Sequence, residues 1–190
     1  MIYSVPKKGF TLIETLVAIS VLTVAIAAPL VLASQSLMTA YQARDNVVAF
    51  NLAQEAIEAV RAQRDHNLLN TILTGSTDSW LTGLTHEGIG DPQKPFMVDS
   101  LSTTQNFIDC SGSTPGSCSY LKFDENTGFY GHENGVESRF KRYVRIVEVP
   151  NTNGNEMRVI STVEWRSGIF GTTRQVVLQE NIYNWISGLQ

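Results

Sequence analysis

A chain of 190 residues with 17% charged residues and a net charge of -4 falls outside two broad classes. It lacks the polar excess of a disordered chain and the basic excess of a dedicated nucleic-acid binder. The length admits one globular domain with a long appendage, and the mean hydropathy of -0.05 averages two unlike parts. Concentrated hydrophobicity lies between Phe10 and Ala33, and the remainder is polar. Such unevenness reads as a tethered domain.

Residues 1–9 form a short start in which Lys7 and Lys8 stand beside the apolar run. Positive charge there favours keeping that end in the cytoplasm. Leu16 to Ala33 carries no charge, and Phe10 to Ile13 extends it. About twenty helical residues cross a ~30 Å hydrocarbon core, so residues 10–33 are predicted to span a membrane with the bulk of the chain outside. A secretory signal also has a basic start and an apolar core, but its cleavage site follows that core. Here Ala33-Ser34-Gln35-Ser36 is a weak site. Glu14 would also stand inside the apolar region, where an acid at mid-membrane costs roughly 2.5–3.5 kcal/mol.

The run Lys8-Gly9-Phe10-Thr11-Leu12-Ile13-Glu14 resembles the class III signal of type IV prepilins and type II secretion pseudopilins. The resemblance implies that residues 1–9 are a leader, cut after Gly9 on the cytoplasmic side by a prepilin peptidase. It implies that the same enzyme methylates the new amine at Phe10 and that the apolar helix is retained. The other implied partners are further pilin subunits in a helical filament, the inner-membrane assembly platform, and the lipid membrane before assembly. The implied location is a single-pass inner-membrane protein with an extracytoplasmic head, later part of a periplasmic or cell-surface filament. In such a filament the resemblance pairs Glu14 of one chain with the Phe10 amine of another. Electrostatics make that pairing sensible, because a nearby cation relieves a buried carboxylate. The alternative for Glu14 is that it snorkels towards the cytoplasmic interface.

Pro29 lies well inside the apolar helix. It removes one backbone hydrogen bond and crowds the carbonyl four residues back, which predicts a kink or local melting near Ala25–Pro29. Ser20 and Thr23 are close enough to satisfy freed groups. That kink serves filament packing or is a static feature without function.

Residues 34–69 continue as an amphipathic helix, with Leu37, Tyr41, Val48, Leu52, Ala56, Ala59 and Val60 mostly at three- and four-residue steps. Glu58 with Arg61, and Arg61 with Asp65, are opposite charges at helical spacing. One long helix from Phe10 to about Leu69 follows. The stretch Leu52 to Arg61 resembles the helix of PilV-type minor pilins and of the type II secretion pseudopilin I, which favours a minor pilin or pseudopilin over a major subunit.

Residues 70–135 are rich in Gly, Ser, Thr, Pro and Asn and read as a variable loop region with short pieces such as Tyr120–Phe123. Cys110 and Cys118 lie within it, separated by small turn-forming residues that bring the sulfurs into reach of a disulfide in an oxidising compartment. Two free surface cysteines are the alternative. Phe140–Val149, Met157–Arg166 and Arg174–Tyr183 are rich in Val, Ile, Tyr and Trp and are joined by turn chemistry. Residues 136–190 therefore form an antiparallel meander, with Val159, Val163 and Trp165 on one face against the helix. The fold class is α+β: the type IV pilin fold, a long N-terminal helix on a C-terminal antiparallel meander of three or four strands.

No catalytic constellation is visible. His66, His86 and His132 lack metal-ligand spacing, and neither a nucleophile elbow nor a phosphate loop occurs. Asp124-Glu125-Asn126-Thr127-Gly128 begins like a calcium loop without its downstream completion, or is an ordinary turn. Lys141, Arg142 and Arg145 form a small basic cluster, which in an acidic chain reads as a solvated face rather than a nucleic-acid site. The expectation is a non-enzymatic filament subunit without cofactor or metal. The alternatives are a pseudopilin of a secretion or DNA-uptake system, and a membrane-anchored enzyme or binding protein with a pilin-like N-terminus.

Overall fold

The computed structural model describes residues 9–84, 94–102, 107–110, 112, 114–167 and 171–186. Most of the predicted leader, His86 and the middle of the last hairpin turn lie outside the described residues. Among the described residues, one helix, α1 (Leu12–Thr74), precedes eight strands: β1 (Phe96–Val98), β2 (Phe107–Asp109), β3 (Lys122–Phe123), β4 (Tyr130–Gly131), β5 (Val136–Glu137), β6 (Phe140–Glu148), β7 (Glu156–Ser167) and β8 (Thr172–Tyr183). A short 3-10 helix spans Pro115–Ser117. The chain divides into two compact units at Arg44 and Asp45.

In the first unit α1 starts two residues after the predicted Phe10. Among residues 15–43 there is no charged side chain, and the large apolar residues are exposed. The helix runs through Ala25–Pro29 without a break, so the expected local melting does not occur. Ser20 and Thr23 donate their hydroxyls to the carbonyls of Val17 and Ser20, both at 2.8 Å. These are the ordinary back-bonds of Ser and Thr in a helix, and they do not reach Ala25.

The second unit, from Asp45 on, is the α+β body. Ala49, Leu52, Ala53, Ala56, Ile57, Val60 and Leu68 are buried along α1, while Leu37 and Tyr41 of the predicted stripe are exposed. Alanines at three of these positions let the helix backbone approach the sheet closely. α1 runs five residues past the predicted Leu69. Thr71 and Thr74 back-bond to the carbonyls of Asn67 and Asn70 at 3.1 and 2.7 Å. The helix stops at the first glycine, Gly75, whose φ of 69° is the left-handed C-terminal cap and whose N–H bonds Thr71 O at 3.0 Å.

The main sheet is antiparallel with order β2-β1-β6-β7-β8. The meander β6-β7-β8 matches the three expected strands to within two residues at each end. Five strands rather than three or four make up this sheet, because β1 and β2 from the 70–135 region add to its β6 edge. A separate three-stranded sheet of order β4-β3-β5 lies across the predicted boundary at 135/136.

Along β7, Val159, Val163 and Trp165 are buried on one face and lie in two clusters with α1. The first cluster joins Ala56, Ile57 and Val60 to Phe96, Phe107, Val144 and Val159. The second joins Ala49, Leu52 and Ala53 to Phe140, Val163 and Trp165. Each large apolar side chain removed from water this way contributes about 1.5–3 kcal/mol. On the opposite face a third cluster gathers Met97, Tyr143, Cys110 and Cys118. Cys110 and Cys118 are disulfide-bonded, with Cα atoms 4.5 Å apart. The disulfide thus packs against Met97 and Tyr143 on the sheet face turned away from α1.

Polar ties among the described residues fasten α1 to the strand region. Asp45 is buried and accepts from Arg139 at 2.8 Å. Arg142 is fully buried, lies 3.2 Å from Glu55 and donates to Leu52 O at 3.0 Å and Val98 O at 2.6 Å. Arg61 bonds Glu180 through Nε at 2.7 Å and Glu58 through Nη1 at 2.8 Å. The predicted Arg61–Asp65 pair does not form: Glu180 on β8 takes Arg61, and Asp65 pairs with Arg64 at 2.8 Å.

The basic cluster is likewise corrected, because β6 splits it between two faces. Arg142 points under the helix. Lys141 lies 4.9 Å from the Tyr120 ring centre and donates to Gly116 O at 3.2 Å.

Candidate functional site

The residues that carry chemistry in the sequence sit at the N-terminal edge of α1. Gly9, Phe10 and Thr11 precede the helix and are exposed. An added Cβ at Gly9 would meet nothing within 4 Å, so nothing within the described fold demands glycine there. Phe10 is 75% exposed.

Thr11 ends the non-helical segment. Its Oγ1 accepts from the Glu14 N–H at 3.3 Å, and its carbonyl accepts from the N–H groups of Glu14 and Thr15 at 3.1 and 3.3 Å. Thr11 is therefore the N-cap and Glu14 the third helical residue, the spacing of a capping box. A carboxylate in the first turn also meets the positive end of the helix dipole, which contributes about 0.3–1 kcal/mol at an exposed site. Glu14 thus has a local role in starting the helix as well as any role outside the chain. The Thr-x-x-Glu pattern before an apolar run is the sequence signal for this cap.

On both sides of Glu14 the helix presents bare hydrocarbon. Leu12, Ile13, Leu16, Val21, Val24 and Leu32 are all more than 60% exposed. The most apolar window of eighteen residues has a mean hydropathy of 2.6, and none of it is buried. By length and composition this is a candidate membrane anchor, with Glu14 as its one acid.

The family model of the prokaryotic N-terminal methylation motif matches residues 6–28. This is a prepilin-type methylation motif. Neither a curated protein nor a solved structure matches the chain. The methylation motif spans Gly9, Phe10, Glu14 and most of the apolar helix. It implies processing by a prepilin peptidase and pilin-type assembly. The α+β body behind it, one long helix on antiparallel sheets, is consistent with the pilin fold.

The other residues singled out in the sequence do not gather into a site with this motif. Asp124 accepts from the Asn126 N–H at 2.9 Å and from Thr127 Oγ1 at 3.1 Å, and its carbonyl accepts from the Gly128 N–H at 2.8 Å. The Asn126 N–H is the main cause holding its carboxyl below the usual range. Asp124 is thus engaged in closing its own turn. Among the described residues no group of three His, Cys, Asp or Glu is placed to hold a metal ion. Ser119 Oγ lies 3.3 Å from His132 Nδ1, while Asp99 takes the His132 backbone N–H at 2.7 Å. Burial pushes His132 below its ordinary value, and the nearby Arg142 charge adds to that.

Proposed function

We propose that this chain is a structural subunit, a minor pilin, of a type IV pilus or related filament. A prepilin peptidase removes the leader after Gly9 and methylates Phe10, and the subunit then enters the filament through α1. The observation that carries this reading is the capped helix start. A glycine with no internal steric role and an exposed Phe10 stand just before an uncovered apolar helix whose one acid is Glu14.

Each part has a physical task. The bare apolar surface holds the subunit in lipid and later buries itself against neighbouring helices, since exposed hydrocarbon of this extent is an interaction surface. Cleavage frees an amine at Phe10, and methylation leaves it able to carry charge. Glu14 of one subunit offers a carboxylate to that cation on another, so that entering the apolar filament core removes an unpaired charge instead of burying one. The work is assembly rather than catalysis.

The test is Glu14→Val alongside Glu14→Gln. Both variants should insert in the membrane and lose the leader, and both should be depleted from sheared filaments. Incorporation at the wild-type level in sheared filaments would remove Glu14 from this role.

A further inference from the structure

Strand β8 ends one side of the five-stranded sheet, and among the described residues it pairs with β7 alone. It is twelve residues long and is matched to β7 residue for residue without a bulge. Every second residue therefore turns its N–H and C=O away from β7. Edges of this length are ordinarily blunted by proline, lysine or a bulge, and β8 has none of these. Its only charged side chains are Arg174 and Glu180.

The order of side chains along this edge decides what fits it. In an antiparallel ladder opposed residues alternate between two kinds of site, so a strand paired with its own copy must be centred on a residue. With the centre at Val177, Arg174 faces Glu180 of the second copy, and symmetry repeats the pair. Val176 then faces Leu178, Gln175 faces Gln179, Thr173 faces Asn181, and Val177 faces its own counterpart. Apolar meets apolar, amide meets amide and the charges are opposite, which are the pairs that favour a ladder. No other centre brings Arg174 opposite Glu180. Burial follows the same alternation. Val176, Leu178 and Glu180 are half-buried on the α1 side, where Leu178 packs against both clusters and Glu180 holds Arg61. Val177 on the outer face is 42% exposed, with Gln175 and Gln179 exposed beside it.

We infer that β8 is a docking edge for a second copy of this chain, paired antiparallel about Val177 so that two five-stranded sheets become one. The contact is isologous, and residues 172–182 of the two copies share about ten backbone hydrogen bonds. Arg61 takes Oε1 of Glu180, and the second carboxylate oxygen accepts from Arg174 of the other copy. A two-fold axis normal to the sheet reverses β8, and with it residues 45–74 of α1, which belong to the same compact unit. On the filament reading above, subunits of one filament point the same way, so the second copy belongs to another filament. The pairing itself does not rest on that reading.

The experiment uses the full chain in dodecylmaltoside micelles. Both native cysteines are in the disulfide, so one introduced cysteine gives one thiol per chain. Under mild oxidation Val177→Cys should cross-link to itself, because residue 177 sits on the axis. Gln175→Cys and Gln179→Cys, both exposed changes, should each stay monomeric alone and cross-link when mixed. Association through the apolar part of α1 predicts no such preference among positions. Adding Arg174→Glu to Val177→Cys should slow cross-linking about tenfold, since both ion pairs become repulsive. Mixing that chain with Glu180→Arg/Val177→Cys restores opposite charges at both places, and the mixed dimer should form at close to the Val177→Cys rate. Cross-linking of Val177→Cys no faster than that of Gln175→Cys alone overturns the proposal. So does a charge-swapped mixture that cross-links no faster than either of its members.

Discussion

Arg142 donates to the carbonyl of Leu52 across 3.0 Å, from a position with no exposure to solvent. The Leu52 carbonyl lies inside α1, so the guanidinium grips the helix by its backbone rather than by a side chain. Its second bond, to Val98 O at 2.6 Å, reaches β1. One side chain therefore ties β6 to both the helix and the added strand. Arg142→Ala leaves a cavity, strips Val98 O of this donor and leaves Glu55 without its cation. The expected loss is about 3–5 kcal/mol, read as a lower urea midpoint of the near-UV signal. A loss under about 1 kcal/mol would show that the clamp is idle.

Gly9 tests the processing step separately from assembly. Replacing it with a bulkier residue meets no clash in the described fold, so folding of the body should be unchanged. The protein should accumulate with residues 1–9 still attached, visible in the intact mass of membrane fractions. A normally trimmed Gly9→Val chain would show that the peptidase does not read this glycine.

The disulfide closes a loop with a sequence separation of 8 residues over Met97 and Tyr143. Chain-entropy arguments assign about 2–3 kcal/mol to a loop of this length. The double variant Cys110→Ala/Cys118→Ala should lose that much stability. Backbone hydrogen exchange should rise first in β1 and β2, whose Met97 and Ile108 pack with the disulfide.

Gly135 adopts a φ of 107°, and a Cβ there would stand 2.4 Å from Phe123 O. Gly135→Ala thus clashes with backbone as well as forcing an unfavourable dihedral, at a cost of about 1–3 kcal/mol. Strand β5 should detach from β3, seen as faster exchange at Val136 and Phe123 while β6–β8 stay protected.

Tyr143 sets an alkaline limit. Burial pushes its hydroxyl up to about 12, and its hydrogen bond to Glu164 adds to the shift. The unfolded chain releases this proton near the ordinary value of 10, so between there and 12 the folded state holds more protons than the unfolded state. The contribution is complete below pH 10 and is lost as pH rises towards 12. Tyr143→Phe should flatten that part of the stability profile, measured by denaturation at stepped pH.

Particular residues show what was legible in the sequence. β6, β7 and β8 are long enough for period-two alternation to emerge, and the turn at Asn151–Asn155 supplies left-handed residues at Asn151 and Asn153. β1 and β2 are three residues each. Their assignment as strands comes from pairing with β6, which no local pattern records. The Arg142 error has a different source. Phe140, Val144 and Ile146 are buried on one face of β6, and Arg142 shares their parity. Charge alone read it as solvated, whereas counting by twos places it inside. At the N-terminus the methylation motif over residues 6–28 was legible because it is a local string. The cap at Thr11 was in the same string and needed only its Thr-x-x-Glu spacing.

That cap has a bearing on proteolysis. Because α1 starts at Leu12, the Gly9–Phe10 peptide lies outside the helical hydrogen-bond ladder. An enzyme that engages its substrate as extended backbone can take this bond without unwinding a single turn. A cut there would leave a helix whose first residues are already fixed by Thr11. On the proposed processing, the helical start set by Thr11 would be the same before and after the cut.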